Sequence, residues 1–223
     1  MIYVSIDIET SGLDHEKHKV LSIGAIIEDT EKKLPFDECP KFNAIVLQND
    51  IVGSPRALDM NAEIIHYMSE YMEANKHTEL QAEYRRLSGY EFYKEDEVVA
   101  EFYRFLFGNG FGYELGPGDF VNTIYGVDYP AIGGKTKPIT LNVAGKNFGT
   151  FDKLFLQELP WWQKLIRTRQ RVLDPAILMV DWKNDTSLPN LMTCKERADI
   201  QGIVTHNALE DAWDVIEVLR KFY

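Results

Sequence analysis

The chain has 223 residues, 45% of them apolar and 26% charged. These are the proportions of a folded globular protein, and they exclude a disordered, collagen-like or disulfide-scaffolded chain. Its 35 acidic against 24 basic side chains leave a formal charge of −11, which excludes a broad basic face neutralising many phosphates of a long nucleic acid. Any phosphate ligand therefore needs a local device such as metal ions. The two cysteines, Cys39 and Cys194, imply no disulfide framework and suit a reducing compartment. No apolar run approaches the ~18 residues of a spanning helix, and Asp7 and Glu9 stand where a secretory leader needs an uninterrupted apolar core. The expectation is a cytoplasmic protein without membrane association, built as a single domain over residues 1–223.

In chain order, residues 2–9 alternate. Ile2, Val4, Ile6 and Ile8 face one way and Tyr3, Ser5, Asp7 and Glu9 the other, the period of a β-strand. Residues 20–27 and 42–47 are β-branched and apolar between polar turns, and predict two further strands of a meander. Residues 61–72, after Ser54-Pro55, and 96–107 carry apolar residues at three- and four-residue spacing and predict amphipathic helices, the first with a polar face of Asn61, Glu63 and Glu70. Eight glycines and two prolines from Gly108 to Gly134 predict a long loop, an insertion over about 108–137. Residues 139–144 read as a short buried strand, 150–159 as a helix stopped by Pro160, 161–169 as a further stretch and 171–173 as a short strand. Residues 207–223 give the clearest helix, with Leu209, Ala212, Trp213, Ile216 and Leu219 in one stripe. Strands first and then strands alternating with helices predict an α/β fold, a mixed β-sheet flanked by α-helices.

Three acidic elements stand out. Asp7 and Glu9, two apart on a strand, project from one face about 7 Å apart, and two like charges so held call for a cation, although an exposed edge strand would carry them equally well. Thr10-Ser11-Gly12-Leu13 follows as a tight turn able to grip a hydroxyl or phosphate. Asp152, in the first turn of a helix after Asn147-Phe148-Gly149-Thr150-Phe151, is an ordinary dipole partner by itself, but a strand-loop-helix connection delivers it to the crevice beyond the strand ends. Asn207 with Glu210 predicts a capping box that starts the last helix, leaves His206 in the preceding loop and puts Asp211 in the opening turns.

The run Ser5 to Leu13, the Asn147 to Asp152 element and the His206–Asp211 pair resemble, in order and spacing, the three motifs of the DEDDh 3′-to-5′ exonucleases. The five-residue gap from Asn147 to Asp152 and the following Arg171-Val172-Leu173-Asp174 are more similar to oligoribonucleases than to proofreading exonucleases. His66-Tyr67-Met68-Ser69 departs from the oligoribonuclease His-x-x-Ser-Gly segment, since Glu70 replaces the glycine, and the insertion looks longer than in those enzymes. The resemblance implies a ribonuclease H-like fold and a metal-dependent exonuclease that acts on single-stranded RNA or DNA 3′ ends, or short oligonucleotides, and releases 5′-mononucleotides. It implies two Mg²⁺ or Mn²⁺ ions held by Asp7, Glu9, Asp152 and Asp211, His206 as general base, and substrate contacts from Thr10, Gly12, Leu13 and Asn147. A carboxylate set without cysteine suits hard cations independently. Lys164, Arg167, Arg169 and Arg171 form the densest basic run, a strand guide or a solvated face, and Phe148 and Phe151 are base-stacking candidates that core packing would equally claim. The rival readings are a proofreading-type DNA exonuclease working with a polymerase and a non-catalytic nucleic-acid-binding module on the same fold.

Overall fold

The computed structural model describes residues 1–74, 77–112, 120–124, 126–132 and 135–223. Its central sheet has five strands in the order β4-β3-β2-β1-β9. Strand β1 (Ile2–Thr10) pairs antiparallel with β2 (Val20–Asp29), and β2 antiparallel with β3 (Lys41–Leu47), completing the meander that the alternation predicts. Two parallel strands close the flanks: β4 (Glu91–Lys94) beside β3, and β9 (Val143–Ala144) beside β1. The predicted strand over residues 139–144 is divided at Asn142 into β8 (Ile139–Leu141) and β9. The former pairs in parallel with β10 (Ile166–Thr168), while the Asn142 carbonyl accepts the Val4 N–H at 2.9 Å. The expected strand at 171–173 is a single parallel bridge from Leu173 to Ala144.

Both faces of β1 are covered, which its alternation alone does not reveal. Val4, Ile6 and Ile8 enter a large core with α4 (Val98–Gly108), α5 (Asp152–Glu158) and α6 (Trp162–Leu165), through Phe102, Phe155 and Trp162. On the other face Tyr3 lies beneath α9 (Ala208–Leu219) with Ala212, Val215, Ile216 and Leu219, and the buried Ser5 hydroxyl donates to the Ala212 carbonyl at 2.7 Å. A single 3₁₀ turn, Arg220–Phe222, continues α9, so the predicted helix 207–223 ends early. Burying one Leu, Ile or Val side chain contributes roughly 1.5–3 kcal/mol, and the α9 stripe clamps this layer at several points.

Other expectations need correction. The predicted helix 61–72 is α2 (Ala62–Glu73), and an unpredicted helix, α1 (Pro55–Met60), capped by Ser54, precedes it with Asn61 at the junction. Asn61 is buried, 3% exposed, and does not belong to a solvent face. Its Nδ2 donates to the Ala57 and Thr10 carbonyls at 3.0 and 3.3 Å, tying the helix junction to the end of β1. The glycine-dense stretch is not simply a loop. Its described residues form an antiparallel sheet of β5 (Phe120–Ile124), β6 (Val127–Ile132) and β7 (Lys135–Thr136), while residues 113–119, 125, 133 and 134 lie outside the description. Three helices carry no strong sequence signal: α3 (Thr78–Ser88), α7 (Pro175–Met179) and α8 (Leu191–Arg197). Among the described residues no helix is long and apolar enough to cross a membrane.

Candidate active site

Strand β1 carries Asp7 and Glu9 to its C-terminal end, where two other segments meet it. The first is the β9–α5 connection. Gly145 lies so close to β1 that a Cβ there would stand 2.7 Å from the Ile6 carbonyl oxygen, so only glycine lets the chain pass. Asn147 then takes the left-handed conformation (φ +61°), which asparagine tolerates better than most residues, and its N–H donates to Asp174 Oδ2 at 2.9 Å. Its carbonyl accepts from Thr150 and Phe151, and the turn releases the chain into α5 with Asp152 as its first residue. Asp152 is 3% exposed, and its Oδ1 accepts the Ile8 N–H at 3.2 Å, which fixes this carboxylate between Asp7 and Glu9 along the strand.

The second segment is the start of α9. Gly24, the register partner of Asp7, supports it: a Cβ there would come within 2.2 Å of the Leu209 nitrogen and 2.5 Å of the Ala208 carbonyl. The helix backbone thus rests directly on the strand. Asn207 caps the helix by accepting from the Leu209 and Glu210 N–H groups, and its Nδ2 donates to the Tyr90 hydroxyl at 2.8 Å. Only this half of the expected capping box forms, because Glu210 turns away to accept from the Thr205 hydroxyl at 2.6 Å. His206 sits just outside the helix, exposed, with φ +56°. That turn brings Glu9, His206 and Asp211 together, each offering a ligand atom within 4.8 Å of the others.

The electrostatics match this crowding. Burial, then the neighbouring carboxylates of Asp152, Asp211 and Glu9, push Asp7 well above the ordinary carboxylate range. Burial and Asp211 raise Glu9 to about 8, against a lowering hydrogen bond from Asn61. Burial raises Asp152 to about 7, although its own N–H and that of Ile8 favour the charged form, and burial with Asp214 raises Asp211 to about 7. Asp211 Oδ1 is buried with no hydrogen-bond partner among the described residues. Four oxygen donors that resist ionising together, one of them orphaned, fit a hard divalent cation such as Mg²⁺ or Mn²⁺, which neutralises the cluster and takes oxygen ligands.

The turn after β1 is tightly made. The Thr10 hydroxyl donates to the Gly12 carbonyl at 2.8 Å, and Ser11 bonds with Lys19, Val52 and Ser54. Leu13 projects at 83% exposure, free to meet a ligand. Other candidates fall elsewhere. The Asn147 side chain engages Thr150 and shapes its own loop. Phe148 is wholly buried and Phe151 packs on Phe155, so both serve the core. Arg167, Arg169 and Arg171 are exposed on and after β10, across β8 from β1. Two residues near the carboxylates escape a sequence reading: Asn61, whose role depends on a helix junction, and Lys146, which lines a cavity of about 580 Å³ with Asp7, His206 and Asp211. A bigger cavity, about 1100 Å³, lined by Tyr71, Arg85, Phe92, Glu95 and Glu97 among others, holds none of the four carboxylates.

With this geometry in hand, comparison with solved structures is informative. Exonuclease I from Methylocaldum szegediense superposes with a TM-score of 0.55 at 15% identity, over 98% of this chain and 39% of that one. E. coli Exonuclease I in complex with a dT13 oligonucleotide gives 0.55 at 14%, over 99% and 40%. The nuclease domain of 3′hExo, a DEDDh family member bound to rAMP, gives 0.54 at 10%, over 99% and 90%. The fold is ribonuclease H-like. This chain spans about two fifths of the length of the Exonuclease I chains and most of the 3′hExo nuclease domain. No protein-family model matches the sequence, and no curated protein matches it.

Proposed function

We propose that the protein is a metal-dependent 3′-to-5′ exonuclease that hydrolyses single-stranded nucleic acid or short oligonucleotides from the 3′ end and releases 5′-mononucleotides. The observation that carries this reading is the meeting of Asp7, Glu9, Asp152, His206 and Asp211, drawn from three distant segments, at one end of β1. The fold shared with Exonuclease I bound to dT13 and with the 3′hExo nuclease domain bound to rAMP supports it. The five-residue gap from Asn147 to Asp152 supports short oligonucleotides as substrates.

In this reading Asp7, Glu9, Asp152 and Asp211 hold two Mg²⁺ or Mn²⁺ ions. Such a pair supplies charge stabilisation for the phosphoryl oxygens and for the attacking and leaving oxygens of an in-line displacement. The Thr10–Leu13 turn receives the free 3′ end, with Thr10 and Gly12 offering backbone groups to the terminal hydroxyl and Leu13 wedged beside the last base. Asn147 sets the turn that aims Asp152. His206 accepts a proton from the attacking water, a task suited to an imidazole near neutral pH. The water oxygen bonds to phosphorus, the P–O3′ bond breaks, and its electron pair leaves with O3′, which takes a proton from solvent. The products are a 5′-mononucleotide and a strand one residue shorter with a new 3′-hydroxyl.

The test is hydrolysis of 5′-end-labelled RNA and DNA single strands with Mg²⁺ or Mn²⁺. The expected result is a ladder that shortens one nucleotide at a time, blocked by a 3′-phosphate. Cleavage of a circular single strand, or no hydrolysis with either metal, overturns the reading.

A further inference from the structure

The cavity beside the carboxylates has a side that the hydrolytic reading leaves unused. Beside Asp7, His206 and Asp211 its lining is largely apolar, with Leu191, Met192, Ile203 and Val204. Lys146, a half-buried cation, lines the same cavity. Gly145, pressed against the Ile6 carbonyl, holds the Lys146 backbone beside β1, and the Asn147 N–H bond to Asp174 locks the residue that follows. The Lys146 ammonium closes no salt bridge and makes no hydrogen bond among the described residues, although Asp152 is near enough for its field to lower that carboxyl. An ammonium in a buried acidic setting normally pairs. One that does not is available to a ligand.

The sheet order gives this cavity its direction. The Thr10–Leu13 turn leads from β1 into β2, while Lys146 follows β9 on the opposite side of β1. A strand whose last nucleotide sits at the turn therefore runs over the carboxylates toward Lys146. We propose that this cavity is the seat of the nucleotide on the 5′ side of the scissile bond, with Lys146 bound to a non-bridging phosphate oxygen and the base lying on Met192, Ile203 and Val204. The inference rests on the exonuclease reading and deepens it, since it makes the preferred substrate a strand of at least two nucleotides whose second residue is gripped. It also answers the charge problem of a −11 chain, because one well-placed lysine offsets part of the local repulsion where a broad basic face is lacking.

The test is binding of a fluorescent, 5′-labelled single-stranded tetranucleotide, with the sugar that the wild-type protein hydrolyses faster, followed by anisotropy in Ca²⁺. Lys146→Ala should raise Kd about tenfold, the loss of one charge-assisted contact, and reduce the slope of log Kd against log salt by about 0.7, one phosphate on a single strand. Lys146→Arg should stay within about twofold, since the charge is kept. Ile203→Glu, at a residue 73% exposed and tolerant of substitution, should weaken binding several-fold by setting an anion on the apolar wall. An unchanged Kd and salt slope in Lys146→Ala, or a loss confined to kcat, overturns the proposal. Wild-type protein that releases no mononucleotide refutes the exonuclease reading and the subsite with it, since no scissile bond is then left for the subsite to flank. Wild-type protein that degrades the strand while Lys146→Ala binds it equally well refutes the subsite alone.

Discussion

Two groups of buried acids lie at opposite ends of the β1–β2 ladder. At the Tyr3 end, Glu28 is wholly buried and fully answered: Arg220 donates to both carboxylate oxygens at 2.8 and 2.6 Å, and the Tyr223 hydroxyl adds a bond at 3.0 Å. Six residues before Arg220, on α9, Asp214 is matched by the buried Lys195 at 2.6 Å. At the other end Glu9, Asp152 and Asp211 are buried and Asp7 half-buried, yet none is paired in a salt bridge among the described residues. A chain able to answer its buried acids so completely at one end leaves them unanswered at the other, the contrast that the proposed metal site accounts for.

The contrast can be broken most sharply through activity. Replacing any one of Asp7, Glu9, Asp152 or Asp211 by Ala should abolish Mg²⁺-dependent hydrolysis and leave the fold intact by circular dichroism; undiminished turnover in Asp152→Ala would remove the assignment. His206→Ala should cost about 10²- to 10⁴-fold in kcat, the usual contribution of a general base, with a residual metal-dependent rate. A kcat profile from pH 5.5 to 9 with the same rising limb in wild type and variant would refute the proton-accepting role.

At the paired end the expected loss is of stability instead. Arg220→Ala strands Glu28 in the core and should lower unfolding stability by about 3 kcal/mol, read from urea titration, while kcat per folded molecule holds. The unpaired end should show the reverse response to pH. Carboxyl groups raised to about 7 and 8 contribute stability that is complete below their unfolded value near 4 and is lost as pH rises through 7 to 8. Metal-free protein should therefore melt roughly 5 °C lower at pH 9 than at pH 6. Excess Mg²⁺ should flatten that slope, as should Glu9→Gln, and a metal-free midpoint that does not fall over this range would contradict the raised values. The smallest effect belongs to Asn207→Ala, which removes the α9 cap at a cost of about 1 kcal/mol and should lower the rate less than His206→Ala does.

What the sequence makes legible follows from the range of the interactions involved. The alternation of residues 2–9 and the stripe Leu209, Ala212, Trp213, Ile216 and Leu219 declare β1 and α9 because period and burial coincide there. The polar helix α3 and the four-residue β4 have too little apolar periodicity: β4 is held by Phe92 stacking on Tyr71 of α2 at 4.1 Å, and α3 by Tyr84 and Arg85 donating to Glu70 and Tyr71 of that helix. The hairpin of β5 and β6 was within reach, since two apolar runs flank Tyr125-Gly126, but the surrounding glycines outweigh that pattern. The acids and His206 stand in local motifs and can be picked out one by one. Asn61 and Lys146 cannot, because nothing local in their segments shows that a helix junction meets Thr10 or that Gly145 touches Ile6.

That α9 lies on Gly24 has a further consequence. The separation of β2 from the start of α9 is gauged by main chain against main chain, and it sets how far the Asp211 end of the helix stands from the strand that pairs with Asp7. A single methyl group at position 24 would therefore lift the helix and spread the carboxylates without altering any of them.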